Sequence, residues 1–349
     1  MVVASAMHPE DPQFTKTLPS HSAGGGRAGV AKVVTDEPSR ALIAGDFIGR
    51  YRIRERVGEG GMGVVYAAED PELGRVVAIK LLRPVQGAEA EEQQRRMLRE
   101  AQALARLSHR NLVMVFDVGS LRGRVWIAME YVVGDTLEVW LAREHRSWSA
   151  IVDVFVEAGR GLAAVHAAGL VHRDFKPGNV IVRSDGTVQI LDFGLAARAG
   201  EHDEDAATMR ALAPPDLDAF AANLTKTGGL MGTPAYMAPE QFLMQPMDGR
   251  ADQFGFCIAL YESLYGHRPF NGKDLAQLMA ATMAGLKALP AEIPGLPLAV
   301  RQVIARGLAP DPANRYADMD ALLAALVATR SPKPRSQSGG WRRFALGMI

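Results

Sequence analysis

The chain has 349 residues, 48% of them hydrophobic and 22% charged, and its 39 basic residues balance 39 acidic ones. This is the composition of a soluble globular protein, long enough for two packed domains or one two-lobed unit of roughly 270–280 residues with tails. The even charge gives no support for a nucleic-acid partner, which usually leaves a basic excess. A single cysteine, Cys257, excludes an internal disulfide and fits a reducing, cytoplasmic setting.

The first residues lack the basic start of a secretory signal, and no run of about 18 apolar residues predicts a membrane span. Residues 1–46 hold Gly24-Gly25-Gly26 and scattered Pro and Ser without sustained periodicity, which predicts a disordered tail. From Tyr51 to Val57 apolar and polar residues alternate as in a strand. Gly58-Glu59-Gly60-Gly61-Met62-Gly63 follows, and then the β-forming run Val64 to Ala68. A glycine-rich turn that opens a helix marks dinucleotide-binding folds. Here the turn joins two strands instead, and its bare backbone permits close approach to a phosphate. The Walker pattern G-x-x-x-x-G-K-[ST] is absent.

Val76 to Lys80 reads as a third strand ending in a cation. Apolar spacing at Met97, Leu98, Ala101, Leu104 and Ala105 predicts a helix over Glu91 to Leu107. Leu112 to Val118 and Val125 to Val132 read as two more strands, the second running into Glu130-Tyr131-Val132-Val133-Gly134-Asp135. The stretch from Leu137 to Gly169 is rich in alanine and in helix-forming spacing.

The next 23 residues, His172 to Gly194, hold Asp174, Lys176, Asn179 and Asp192 around two short apolar runs, Val180 to Val182 and Val188 to Leu191. Ser184-Asp185-Gly186 between the runs is a turn signal and predicts a hairpin. The ends of a hairpin lie side by side, so Asp174 to Asn179 would face Asp192-Phe193-Gly194. Two carboxylates and an amide oxygen at one mouth suit Mg²⁺, a hard cation that takes oxygen ligands and shares its shell with phosphate.

This stretch, with its H-R-D-x-K-x-x-N and D-F-G strings, closely resembles the catalytic and magnesium-binding loops of eukaryotic-type protein kinases. The resemblance extends over residues 47–328 and implies an α+β, bilobal protein kinase fold. A small antiparallel N-lobe with one main helix would occupy 47–130, and a larger, mostly helical C-lobe 134–328. By that resemblance Asp174 accepts the proton of a substrate hydroxyl, and Lys176 lies near the transferred phosphate, as in the serine/threonine branch. Asn179 and Asp192 hold the metal, Mg²⁺ with Mn²⁺ as the alternative. Lys80 matches the lysine of V-A-I-K, which contacts the ATP phosphates, and Glu100 its partner on the helix. Val57, Gly58, Gly60 and Gly63 match the phosphate flap. Glu130 and Val132 lie in the connector whose backbone meets adenine, with Met129 guarding the pocket and Val65, Ala78 and Ile181 against the ring. His172 is expected to be structural, packed under Phe193. Phe175 stands where the family lists Leu, an apolar exchange.

Between Asp192 and Ala238-Pro239-Glu240 the connection is long, and its part at about 199–224 is acidic and predicts a mobile loop. Gly232 to Glu240, G-T-P-A-Y-M-A-P-E, resembles bacterial serine/threonine kinases. Thr225 and Thr227 just before it are candidate phosphosites. A phosphate there would bring about −1.5 to −2 charge toward Arg173 and order the segment. Thr233 is expected to be positional, near Asp174 and Lys176. Asp252 is expected to face the catalytic-loop backbone, and Arg315 to pair with Glu240. Residues 329–349 are basic and rich in Pro and Gly, and predict a disordered end.

The resemblance thus implies an ATP-dependent kinase acting on Ser and Thr of protein substrates, with a transient homodimer for autophosphorylation. The alternative is a pseudokinase-like nucleotide-binding scaffold, but such chains usually lose a lysine or acid that this one keeps.

Overall fold

A computed structural model describes residues 41–61, 63–84, 90–192 and 233–330. The expected tail over 1–40, Phe193 and Gly194, the acidic segment, Thr225, Thr227 and the end at 331–349 lie outside the described residues. The disordered tail expected through residue 46 does not extend over 43–46. There Ile43 N donates to Asp46 Oδ2 (3.0 Å) and Gly45 N to Ile53 O (2.9 Å), docking the segment on the first long strand.

The N-terminal half is built from β1 (Phe47–Ile48), β2 (Tyr51–Gly60), β3 (Gly63–Asp70), β4 (Arg75–Leu82), α1 (Ala90–Leu104), β5 (Val115–Leu121) and β6 (Arg124–Glu130). The strands form one antiparallel sheet in the order β1-β2-β3-β4-β6-β5. Side chains of a strand alternate between faces. In β4 this sends Val77, Ile79 and Leu81 to an outer cluster with Tyr51, Tyr66 and Trp126. Ala78 and Leu82 join the inner cluster with Val65, Ile127, Met129 and Ala101 of α1. Lys80 shares the parity of Ala78 and Leu82, and is therefore a buried cation on the inner face. At the β2–β3 turn Gly63 has a steric reason to be glycine. A Cβ there would lie 2.3 Å from Leu81 O.

The second half begins with β7 (Asp135–Thr136), α2 (Leu137–Arg143) and α3 (Trp148–Ala167), followed by β8 (Val180–Val182) and β9 (Val188–Ile190). β7, β8 and β9 pair in that order as a small antiparallel sheet. Then come α4 (Pro239–Phe242), α5 (Gly249–Tyr265), α6 (Leu275–Ala284), α7 (Leu298–Gly307) and α8 (Met319–Ala328). Side-chain caps start several of these helices: Thr136 for α2, Ser147 for α3, Asp248 for α5, Asp274 for α6 and Asp318 for α8. Helix α5 is buried all round from Ala251 to Tyr261, as a central helix must be when others pack on every side.

Several boundaries differ from the sequence expectation, β6 among them, which ends at Glu130 rather than Val132. Helix α1 stops at Leu104 rather than Leu107, and β5 starts at Val115 rather than Leu112. Residues 109–113 are drawn away by the second half: Leu112 bridges Ile190, Val113 N donates to Ile190 O (3.1 Å) and Ile190 N to Asn111 O (2.9 Å). The propensity of that run for a strand is satisfied by the wrong sheet for the sequence to foresee. Among the described residues no helix is long and apolar enough to cross a membrane.

A buried ion pair fastens α4 to the segment before α8. Arg315 Nη1 and Nη2 donate to Glu240 Oε1 (2.6 Å) and Oε2 (2.9 Å), as expected from the sequence. The remaining donors go to Ala309 O, Arg250 O and Pro310 O, so all five N–H groups of the guanidinium are satisfied. Breaking such a pair from one side leaves a buried charge uncompensated. We expect Glu240→Gln to lower unfolding free energy by about 3–5 kcal/mol in urea titrations, and a loss below about 1 kcal/mol would show the pair to be solvated.

Candidate active site

Asp174 follows two residues whose backbone is held from below. Asp252, on buried α5, accepts from His172 N through Oδ2 (2.7 Å) and from Arg173 N through Oδ1 (2.8 Å). Arg173 adopts a left-handed backbone (φ 67°), a conformation that costs a non-glycine residue about 1–3 kcal/mol. Its carbonyl is fixed as well, accepting from Gln241 Nε2 at 2.8 Å. With both peptide groups of Arg173 tied, the direction of Asp174 is set.

The Asp174 carboxylate is itself gripped. Oδ1 accepts from Thr233 N (2.8 Å), and Oδ2 from Lys176 Nζ (2.9 Å) and Asn179 Nδ2 (3.2 Å). A carboxylate offers about four lone-pair positions. Among the described residues three are used, and the one left is on Oδ1. Lys176 also donates to Thr233 Oγ1 (2.5 Å), so Thr233 lies where the sequence put it.

Asn179 ends the short 3-10 turn Pro177–Asn179 that leads into β8, and its amide nitrogen is taken by Asp174 O (2.8 Å) and Oδ2. With the nitrogen so engaged, Oδ1 is the acceptor end of this amide. Leu191 N donates to Asn179 O (2.7 Å), closing the hairpin and setting Asp192 beside Asn179. Asp192 also has a left-handed backbone (φ 48°), and its Oδ1 meets Lys80 Nζ at 3.0 Å. Burial alone would raise the Asp192 carboxyl, but the Lys80 charge and hydrogen bond outweigh it and hold it below the usual carboxylate range. Two anionic or carbonyl oxygens from adjacent strand ends fit a hard divalent cation.

The residues expected around a nucleotide also converge. Val57, Gly58, Gly60 and Gly63 line the β2–β3 turn, and Val57, Val65, Ala78, Met129, Val132 and Ile181 belong to one apolar cluster spanning both halves. Met129 lines a cavity together with Lys80 and Asp192. Glu130 ends β6 and begins the connector to β7. Glu100 lies partly buried on α1, which packs against β5 and β6.

Three contributors carry no sequence expectation. His166 Nε2 lies 2.7 Å from Asp252 Oδ2, Gln241 holds Arg173, and Tyr236 Oη donates to Glu262 Oε2 at 2.5 Å. His166 stands one helix end before the catalytic loop, a signal that could have found it. Gln241 is marked by nothing local.

His172 is fully buried, with its ring edge-on to Phe175 at 6.2 Å. Nε2 donates to Leu191 O (3.2 Å) and Nδ1 accepts from Asp174 N (3.3 Å), an arrangement open only to the neutral ring. Burial accordingly pushes its pKa below the ordinary 6.5 despite the opposing charge of Asp252. The unfolded chain therefore binds this proton more readily, and stability falls as pH drops below 6.5. Asp192 and Asp252, held below 3.8, lose their contribution only in stronger acid. Melting temperature should decline between pH 7 and pH 5, and more shallowly in His172→Phe. Equal slopes would assign the decline to other groups.

Residues 51–326 match the family model for the protein kinase domain. The chain is 35% identical over 312 residues to the serine/threonine-protein kinase Pkn1 of Myxococcus xanthus, with 88% of this chain and 42% of that protein covered. It is 35% identical over 300 residues to PknL of Mycobacterium tuberculosis, covering 83% of this chain and 70% of PknL. The chain thus spans less than half of the first relative and about two thirds of the second. Among solved structures, the kinase domain of Mycobacterium tuberculosis PknI aligns with a TM-score of 0.60 at 26% identity, over 83% of this chain and 100% of that one. With its lysine, its two acids and its sheet-over-helices architecture, this chain belongs to the protein kinase family, among the eukaryotic-type serine/threonine kinases of bacteria.

Proposed function

We propose that this chain transfers the γ-phosphoryl group of ATP to Ser or Thr hydroxyls of protein substrates. The observation that carries the reading is the meeting of Asp174, Asn179, Asp192 and Lys80 at one end of the β8–β9 hairpin. Asp174 orients the hydroxyl at its open Oδ1 position and takes its proton as the oxygen bonds to phosphorus and the bond to the ADP oxygen breaks. Lys176, fixed between Asp174 and Thr233, stabilises charge on the group in flight. Lys80 serves the α- and β-phosphates, and Glu100 is its helix partner. Asn179 and Asp192 hold Mg²⁺, or Mn²⁺ in its place. When bound, that ion neutralises phosphate charge. The backbone of Glu130 and Val132 meets adenine between Val65, Ala78 and Ile181, below Met129, while Val57, Gly58, Gly60 and Gly63 close over the phosphates.

Activation belongs to the same reading. A phosphate on Thr225 or Thr227, added by a second copy in a transient homodimer, would be drawn to Arg173 beside Asp174. The setting proposed is the cytoplasm, where ATP is abundant. Cys257 adds no redox chemistry to this scheme, since burial pushes its thiol up to about 12.

Purified chain incubated with labelled ATP, Mg²⁺ and a basic protein substrate should incorporate label into Ser and Thr. Asp174→Ala should lower the rate at least about 100-fold, and equal labelling in that variant would point to a contaminating kinase. A Thr225→Ala/Thr227→Ala double variant should lose most activity. Full activity there would end the phosphosite proposal while leaving the phosphotransfer reading intact.

A further inference from the structure

The connector between β6 and β7 is anchored at both ends to the same piece of the C-terminal half. Downstream, Asp135 and Thr136 pair with Val182 and Ile181 of β8. Gly134 fits against that strand only because it lacks a side chain: a Cβ would lie 2.7 Å from Ile181 Cγ2 and 2.8 Å from Val182 O. Upstream, the anchor is a polar side-chain cluster that includes none of Lys80, Asp174, Asn179 and Asp192. Arg183 Nη1, just past β8, donates to Glu130 Oε1 (2.7 Å) and to Gln189 Oε1 (3.1 Å). Gln189 Nε2, on β9, completes the ring to Glu130 Oε2 at 3.3 Å. Gln189 is buried, whereas Glu130 and Arg183 are about a third exposed, at 30% and 31%.

The opposite end of this hairpin carries Asn179, immediately before β8, and Asp192, two residues after β9. One short hairpin therefore fixes the connector at one end and the candidate metal ligands at the other. A nucleotide that spans the two needs a fixed distance between them.

We propose that Arg183 and Gln189, through the Glu130 carboxylate, are positioning residues that hold the connector at the register a nucleotide requires. The proposal rests on the kinase reading of the cleft. Lys80, Asp174 and the metal ligands do not depend on this cluster for their own contacts. Its loss should therefore weaken nucleotide binding and leave the chemical step in place.

The test uses the full chain, with Arg183→Met and Gln189→Leu, and Arg183→Lys as the conservative variant that keeps the charge but not the fork. Steady-state KM for ATP and kcat are measured with a basic protein substrate. Calorimetric Kd for ADP with Mg²⁺ and the melting temperature are measured alongside. KM and Kd should rise between about 3- and 10-fold in Arg183→Met with kcat within about twofold of the parent, and Arg183→Lys should recover part of the loss. Because Arg183 is partly exposed, its Met variant should fold even where Gln189→Leu does not. Unchanged KM and Kd in Arg183→Met would overturn the proposal, and so would a fall in kcat at constant KM. A parent chain that neither binds ADP nor transfers phosphate would instead remove the kinase reading beneath it.

Discussion

The buried Asp252 carboxylate is the constraint on which the site depends. It sits on a helix with no solvent-facing side along most of its length, and burial alone would drive it toward the neutral acid. His166 and the backbone N–H groups of residues 172 and 173 reverse that tendency and keep it anionic. A charged acceptor makes the stronger hydrogen bonds, and those bonds offset the left-handed strain at Arg173. Without them the peptide would relax to a commoner backbone shape, and Asp174 would swing away from Thr233 and Asn179. The ion pair of Glu240 with Arg315 acts one layer further out. Arg315 also binds Arg250 O at the start of α5, and Glu240 is adjacent to the Gln241 that ties Arg173. The helix, its buried acid and the catalytic loop are thus held as one unit.

The two acids of the cleft differ in charge environment rather than in type. Asp174 is bound by a backbone amide, a side-chain amide and one ammonium, which hold it in place and still leave an acceptor position. Asp192 faces the buried Lys80 and stays ionised because of it. Lys80 comes from a different sheet, so this contact links the two halves across the cleft. A cation from one half and an anion from the other, each partly desolvated, interact far more strongly than in water.

Much of this was legible in the sequence because the chemistry is local. Asp174, Lys176 and Asn179 are within six residues, and the turn at Ser184 to Gly186 brings Asp192 back beside them. Lys80 at the end of its strand, Thr233, Asp252 and the Glu240–Arg315 pair could be carried over from the resemblance. What escaped is tertiary. Gln241 reaches Arg173 across 68 positions, and nothing in its own neighbourhood marks it. The start of β5 lies later than the apolar pattern implies because Leu112 and Val113 serve the β9 edge instead of continuing the N-terminal sheet. Glu100 was placed on its helix correctly, yet spacing alone could not say what its carboxylate meets.

The β8–β9 hairpin explains why so small an element can carry so much. Three residues per strand would be marginal alone, but this hairpin is covered from both sides. Val180, Val182, Val188 and Ile190 enter the helical core, while Ile181 joins the apolar cluster beneath the N-terminal sheet. The pleat thus splits the hairpin between two cores that meet at the cleft, and a one-residue slip would exchange them. Register is therefore fixed by burial on both faces, and with it the positions of Asn179 and Asp192 at one end and of Arg183 at the other. An element seated in two cores, and paired to the connector through β7, thus fixes the distance from the connector to Asn179 and Asp192.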